Sequence, residues 1–183
     1  MKLGIAFGIG LCFSLAAADI SEMVPPAGPG VFTAKQVRPD TFKLVVAGHL
    51  FTSRGNIEKY LAYRCARLTI EHGARWFIFK EDRGKGETAV PVSVRDPEGP
   101  RYSFRMKYFR PVWRYKVNGS AAWNRWSPFS GAAFISADPK TITSFEVSAE
   151  IVVHKGPMDD ADPLAFEAHA LSDLLVNQVS PPK

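Results

Sequence analysis

From Thr143 to Lys155 the chain alternates: Phe145, Val147, Ala149, Ile151 and Val153 on one side, Glu146, Ser148, Glu150 and His154 on the other. A two-residue period held this long describes a strand whose faces meet different surroundings, one apolar and one wet. An antiparallel sheet covered on one side supplies both. The rest of the chain must therefore furnish an apolar layer to lie on that strand.

Two segments fit. Ile57, Leu61, Cys65, Leu68 and His72 recur at helical spacing, and Ala62, Tyr63, Ala66 and Ile70 make the far side apolar as well, so this helix is expected to be covered on more than one side. Thr52, Ser53 and Asn56 offer capping oxygens at its start, and Gly73 stands where a left-handed C-terminal residue is wanted. Near the C-terminus, Asp162-Pro163 reads as a cap and first-turn proline, with Leu164, Ala168, Leu171 and Leu175 following at helical spacing.

Further strands are expected at Thr41 to Ala47, ended by Gly48, at Trp76 to Phe79, and at Tyr102 to Phe109. Asn118-Gly119 signals a hairpin between Trp113 to Val117 and Ser120 to Trp123. The Gly- and Pro-rich stretch from Glu81 to Pro100 reads as loop, with a short edge strand at Ala89 to Val94. Together these predict an α+β fold of two layers, a mainly antiparallel sheet with a long central helix and a C-terminal helix.

Length allows one domain with a proper core, 183 residues in all. Met1-Lys2, an uncharged run from Leu3 to Leu15 and Ala16-Ala17-Ala18 have the pattern of an export signal over residues 1–18, cleaved before Asp19. That run is too short to span a bilayer. Residues 19–36, with Pro25-Pro26 and Gly28-Pro29-Gly30, read as a flexible lead-in, and the domain as 37–179. Removing residues 1–18 takes one of 23 basic residues and none of 18 acidic ones, leaving 22 − 18 = +4, and leaves Cys65 as the lone thiol, expected to be buried.

Catalytic patterns are absent. His49, His72, His154 and His169 show no two-ligand spacing, and Asp159, Asp160 and Asp162 lack the glycine and terminal glutamate of a calcium loop, so no metal site and no cofactor is expected. Ser130-Gly131 lacks the preceding residues of a nucleophile elbow, Cys65 lies mid-helix, and Gly84-Lys85-Gly86 lacks phosphate-loop spacing. Arg64, between Leu61 and Leu68, sits inside the apolar stripe. A charge there is expected to form a structural ion pair, with Glu146, Glu150 or Glu71 as partner.

Between Glu98 and Asp138 there is no acidic residue, while Arg101, Arg105, Lys107, Arg110, Arg114, Lys116 and Arg125 lie among Trp113, Trp123 and Trp126. Mixed basic and aromatic residues suit anionic polymers or membrane surfaces through charge attraction and ring stacking. The plainer reading is a strand with its rings inward and its charges in water. The contact surface predicted from this segment is Arg110, Trp113, Arg114, Trp123, Arg125 and Trp126.

The segments TSRGNIEKYLAYRCARLTIEHGARWFIF, FEVSAEIVVHKGP and DDADPLAFEA resemble a family of uncharacterised bacterial envelope lipoproteins, whose members carry a Y-L-x-Y-R-x-A-x-L-T-x-x-x-G helix entering an apolar strand. The likeness spans both ends of the domain and leaves out its aromatic middle. It implies an exported, envelope-associated domain and supplies no catalytic residue. Arg64 matches the family's helix arginine, whereas Cys12 lacks the surroundings of a lipidated cysteine and Arg67 replaces an expected acid.

The expectation is a periplasmic or envelope-associated protein that is not an enzyme, contacting an anionic envelope glycan, a membrane surface or another envelope protein, with no nucleic acid as partner. Two other readings stay open. One is a hydrolase whose site assembles residues distant in sequence; the other is an adaptor that uses the aromatic segment as an apolar patch for a protein partner.

Overall fold

A computed structural model describes residues 31–48, 54–80, 106–126, 141–159 and 161–181. Along these the chain forms β1 (Val31–Arg38), β2 (Thr41–Gly48), helix α1 (Arg54–Glu71), β3 (Trp76–Lys80), β4 (Val112–Val117), β5 (Asn124–Trp126), β6 (Ile142–His154), β7 (Ala165–Glu167) and helix α2 (Ala168–Leu175). The fold is α+β: one antiparallel sheet of seven strands with the two helices packed together on one face.

The alternating segment is β6, and the sheet is built around it. One of its edges carries β2 along eight residues, Thr41↔Val152 to Gly48↔Phe145. Its other edge is shared: β3 pairs with residues 150–154 and β4 with residues 142–148. Beyond β3 lies β7, and beyond β4 lies β5, so two short ribbons sit end to end along one long strand.

Phe42, Leu44, Val46, Phe77, Phe79, Phe145, Val147 and Ile151 project to the covered face, where Ile57, Leu61, Cys65 and Leu68 of α1 meet them. Each large side chain buried there contributes roughly 1.5 to 3 kcal/mol. The far side of α1 is closed by α2 through Ala168, Leu171 and Leu175, which accounts for the burial of Ala62, Ala66 and Thr69. The end of α1 follows the expected chemistry. Gly73 takes φ +64°, its N–H donates to Ile70 O at 2.9 Å, and Ala74 N–H donates to Thr69 O at 3.0 Å, a Schellman closure.

Several expectations are corrected. The sheet starts ahead of residue 37: β1 runs through the end of the segment read as lead-in, pairing Phe32↔Val46 and Ala34↔Leu44 after a turn at Pro39-Asp40. Only two inward residues, one of them alanine, mark it in the sequence, and pairing to β2 decides the matter. Met106–Tyr108 is a 3-10 turn, not strand, with Phe109 N–H bonded to Met106 O. The hairpin turn at Asn118-Gly119 is present, with Gly119 at φ +77°, but its return strand is Asn124–Trp126 and not Ser120 to Trp123. The C-terminal helix begins at Ala168. Asp162 Oδ1 instead accepts the N–H of Leu164, and β7 intervenes because pairing Phe77↔Phe166 extends the sheet. Thr52, Ser53, the signal and edge-strand segments, and Tyr102 to Arg105 lie outside the described residues.

Candidate functional site

Strand alternation divides the basic aromatic segment between the two faces of β4 and β5. Trp113 pairs with Trp126 in register and both turn to the core face, their rings meeting edge to face at 5.2 Å. Trp113 is 1 % exposed and Trp126 packs half-buried against the core. Neither ring is therefore presented as an exposed contact, a correction to the predicted surface: the register that makes β4 and β5 a ribbon spends these side chains on burial.

The neighbouring residues face the other way. Arg114 pairs with Arg125, both exposed, on the sheet face that carries no helix. One step along, Lys116 Nζ lies 4.8 Å from the ring centroid of Trp123, which is 39 % exposed. Directly opposite residues in an antiparallel pair stand within about 5.5 Å, and i, i+2 residues within about 7 Å. Two guanidiniums, one ammonium and one indole thus form a compact array. Arg114 stands between Arg125 on β5 and Glu146 on β6, one like and one opposite charge across the strands. Arg110, also exposed, precedes Pro111 at the entry to β4.

The wet face carries further charge in register. Lys35, Lys43, Glu150 and Lys80 form a row across β1, β2, β6 and β3, in which Lys80 Nζ lies 2.9 Å from Glu150. Glu146 lies beside Arg114.

Behind the array, on the core face, is a group with no mark in the sequence. Glu58, in the first turns of α1, has a side chain only 12 % exposed; its Oε1 accepts the indole N–H of Trp113 at 3.1 Å and pairs with Arg54 Nε at 3.0 Å. Burial pushes its carboxyl up to about 7, against the opposing pull of Arg54 and the two hydrogen bonds. The spacing Arg54 to Glu58 advertises an i, i+4 pair, but only the fold brings Trp113 onto it.

Arg64 is resolved differently from the expected ion pair. Its guanidinium carbon lies 4.0 Å from the ring centroid of Phe32, and its Nε is buried without a hydrogen-bond partner among the described residues. Glu150, one proposed partner, pairs with Lys80, and Glu71 is exposed. The arginine acts as a lid on an edge-strand ring, its charge met by π density. Cys65 is fully buried, and burial pushes its thiol up, away from reactivity.

Among the described residues no group of three or more His, Cys, Asp or Glu side chains could hold a metal ion, and no helix is long and apolar enough to cross a membrane. No known protein family, curated protein or solved structure matches the chain.

Proposed function

We propose that this chain is an exported, non-enzymatic envelope module that binds an acidic glycan on the open face of its β4–β5 ribbon. The observation that carries the reading is the array of exposed Arg114, Arg125 and Trp123 with half-buried Lys116. Arg forks accept carboxylate or phosphate oxygens in pairs, and an indole offers a flat apolar face on which a sugar ring stacks. A twisted strand face lets successive charges of an extended polymer follow successive side chains, and the lysine fixes the indole from one side by an interaction of about 0.5 to 1 kcal/mol.

Export, periplasmic placement and kinship with the envelope lipoproteins are proposed with this reading, on the strength of residues 1–18 and the Tyr60 to Gly73 motif. The deciding experiment is co-sedimentation of residues 19–183 with peptidoglycan sacculi and with anionic liposomes at low and high salt. Salt-sensitive binding to sacculi supports the glycan reading. Binding to liposomes alone assigns the face to lipid headgroups, and binding to neither removes the array as a ligand site.

A further inference from the structure

Glu58 and the basic array stand on opposite sides of one strand. Trp113, whose indole binds Glu58, is the residue before Arg114, and its cross-strand partner Trp126 is the residue after Arg125. The two tryptophan rings are in contact, so Glu58 touches the core side of the ribbon whose far side carries both arginines.

We propose that Glu58 is a proton-operated latch between α1 and the β4–β5 ribbon, closed when its carboxyl is neutral, and that it thereby regulates ligand binding on the ribbon's far face. The regulatory half of this rests on the array being the binding surface. The latch itself rests on the geometry of Glu58.

Both donors, the indole N–H of Trp113 and the Nε–H of Arg54, converge on the same oxygen, Oε1. Both donors favour the ionised carboxylate, and enclosure between α1 and β4 opposes them. Ionisation adds charge to a side chain only 12 % exposed, and burial there outweighs the help of both donors. Arg54, on the same helix, is the one charged group acting on it among the described residues. The elements around it add little. The sheet face that α1 covers presents no ionisable side chain from β2, β3 or β6; β4 adds the phenol of Tyr115. The charges of those strands, Lys43, Lys80, Arg114, Lys116, Glu146 and Glu150, alternate to the other face. On α2 the ionisable groups are His169 and Asp173, both exposed.

An ionised Glu58 is more stable hydrated than held under Trp113, so raising the pH weights the ensemble toward openings in which β4 draws away from α1. The ribbon then loses its backing, and the arginines lose their fixed register. By reciprocity, a polyanion that requires the closed ribbon holds Glu58 in its neutral form.

The test is amide hydrogen exchange of the β4 and β5 ladders between pH 5.5 and 8, corrected for intrinsic rates, in the wild type and in Glu58→Gln, which keeps a neutral acceptor in place. The expected result is an opening equilibrium for β4–β5 that rises about tenfold or more with pH in the wild type, one pKa unit being a factor of ten, and stays level in the variant. The β2–β6 ladder stays protected throughout. A level β4–β5 response in the wild type, the same rise in Glu58→Gln, or a rise across the whole sheet overturns the latch. This readout uses no ligand, so it stands apart from the glycan reading. In a second arm, dextran sulfate serves as an acidic-glycan probe. Binding weaker at pH 8 than at pH 5.5 in the wild type, but not in Glu58→Gln, upholds the regulatory role. Equal pH dependence in both, or no binding while the exchange switch persists, removes that role and leaves the latch.

Discussion

Trp113 on β4 donates its indole N–H to Oε1 of Glu58 on α1 across 3.1 Å, tying the one described helix turn that carries a buried carboxylate to the strand that carries the basic array.

Glu58 ionises near pH 7 in the folded protein against 4.5 as its ordinary value, so between these the folded state holds a proton that the unfolded state has released. Its contribution therefore declines as pH rises from about 4.5 to about 7, by about 1.4 kcal/mol per unit and about 3 kcal/mol in all. Denaturant unfolding at half-unit pH steps should show this decline in the wild type, and Glu58→Gln should lack it. Equal pH profiles would show that Glu58 titrates normally.

Trp113→Phe keeps most of the ring and removes the donor. Since that hydrogen bond favours the ionised carboxylate, the Glu58 midpoint should move further upward, and the loss of stability should be larger at pH 8 than at pH 5, about 2 kcal/mol at the higher pH. Carboxyl NMR of Glu58 in the two proteins reads the midpoint directly.

Arg64 covers Phe32, so Arg64→Ala removes both the stem packing and the charge over the ring. The expected loss is about 2 kcal/mol. A double-mutant cycle with Phe32→Leu should return a coupling of about 1 kcal/mol that salt barely changes, as expected of a cation–π contact and not of an exposed ion pair. A coupling near zero would leave the arginine with packing alone.

Gly73 has φ +64° with open space where a Cβ would go, so Gly73→Ala meets no clash and isolates backbone strain. The cost should be about 1 kcal/mol, and Gly73→Asn should cost less. Thermal unfolding of the two variants checks the order.

Cys65 should resist alkylation until the whole domain unfolds, because the thiol is fully enclosed by the core between α1 and the sheet. Labelling rates across a denaturant series should track global unfolding. Fast labelling in native buffer would place the thiol in a locally opening region.

The elements with strong periodicity were legible. Phe145 to Val153, Ile57 to Leu68 and Trp76 to Phe79 announce a covered sheet face and the helix over it, and Gly73 announces the helix end. What escaped was set by pairing at a distance. β1 shows little alternation of its own and becomes a strand because β2 offers it an edge, and Phe32 came with it as the unforeseen partner of Arg64. Asp162-Pro163 looks like a helix start, yet β3 recruits Ala165–Glu167 before the helix begins. In the candidate site, alternation from Trp113 to Lys116 held the information that rings and charges part company, but the register Trp113↔Trp126 was needed to say that Arg125 joins Arg114. Nothing local to α1 marks Glu58 as buried.

The most direct test of the binding claim is the affinity of residues 19–183 for purified acidic wall polymer across a salt series, compared with Arg114→Ser/Arg125→Ser. The variant should be folded, since both side chains are exposed and the core face of the ribbon is left intact, which its thermal unfolding checks. The wild type should bind with an affinity that falls steeply with salt, and the variant should bind about tenfold or more weakly, with a shallower slope. Equal affinity and equal salt dependence in the two proteins would contradict the assignment of this face as the ligand site.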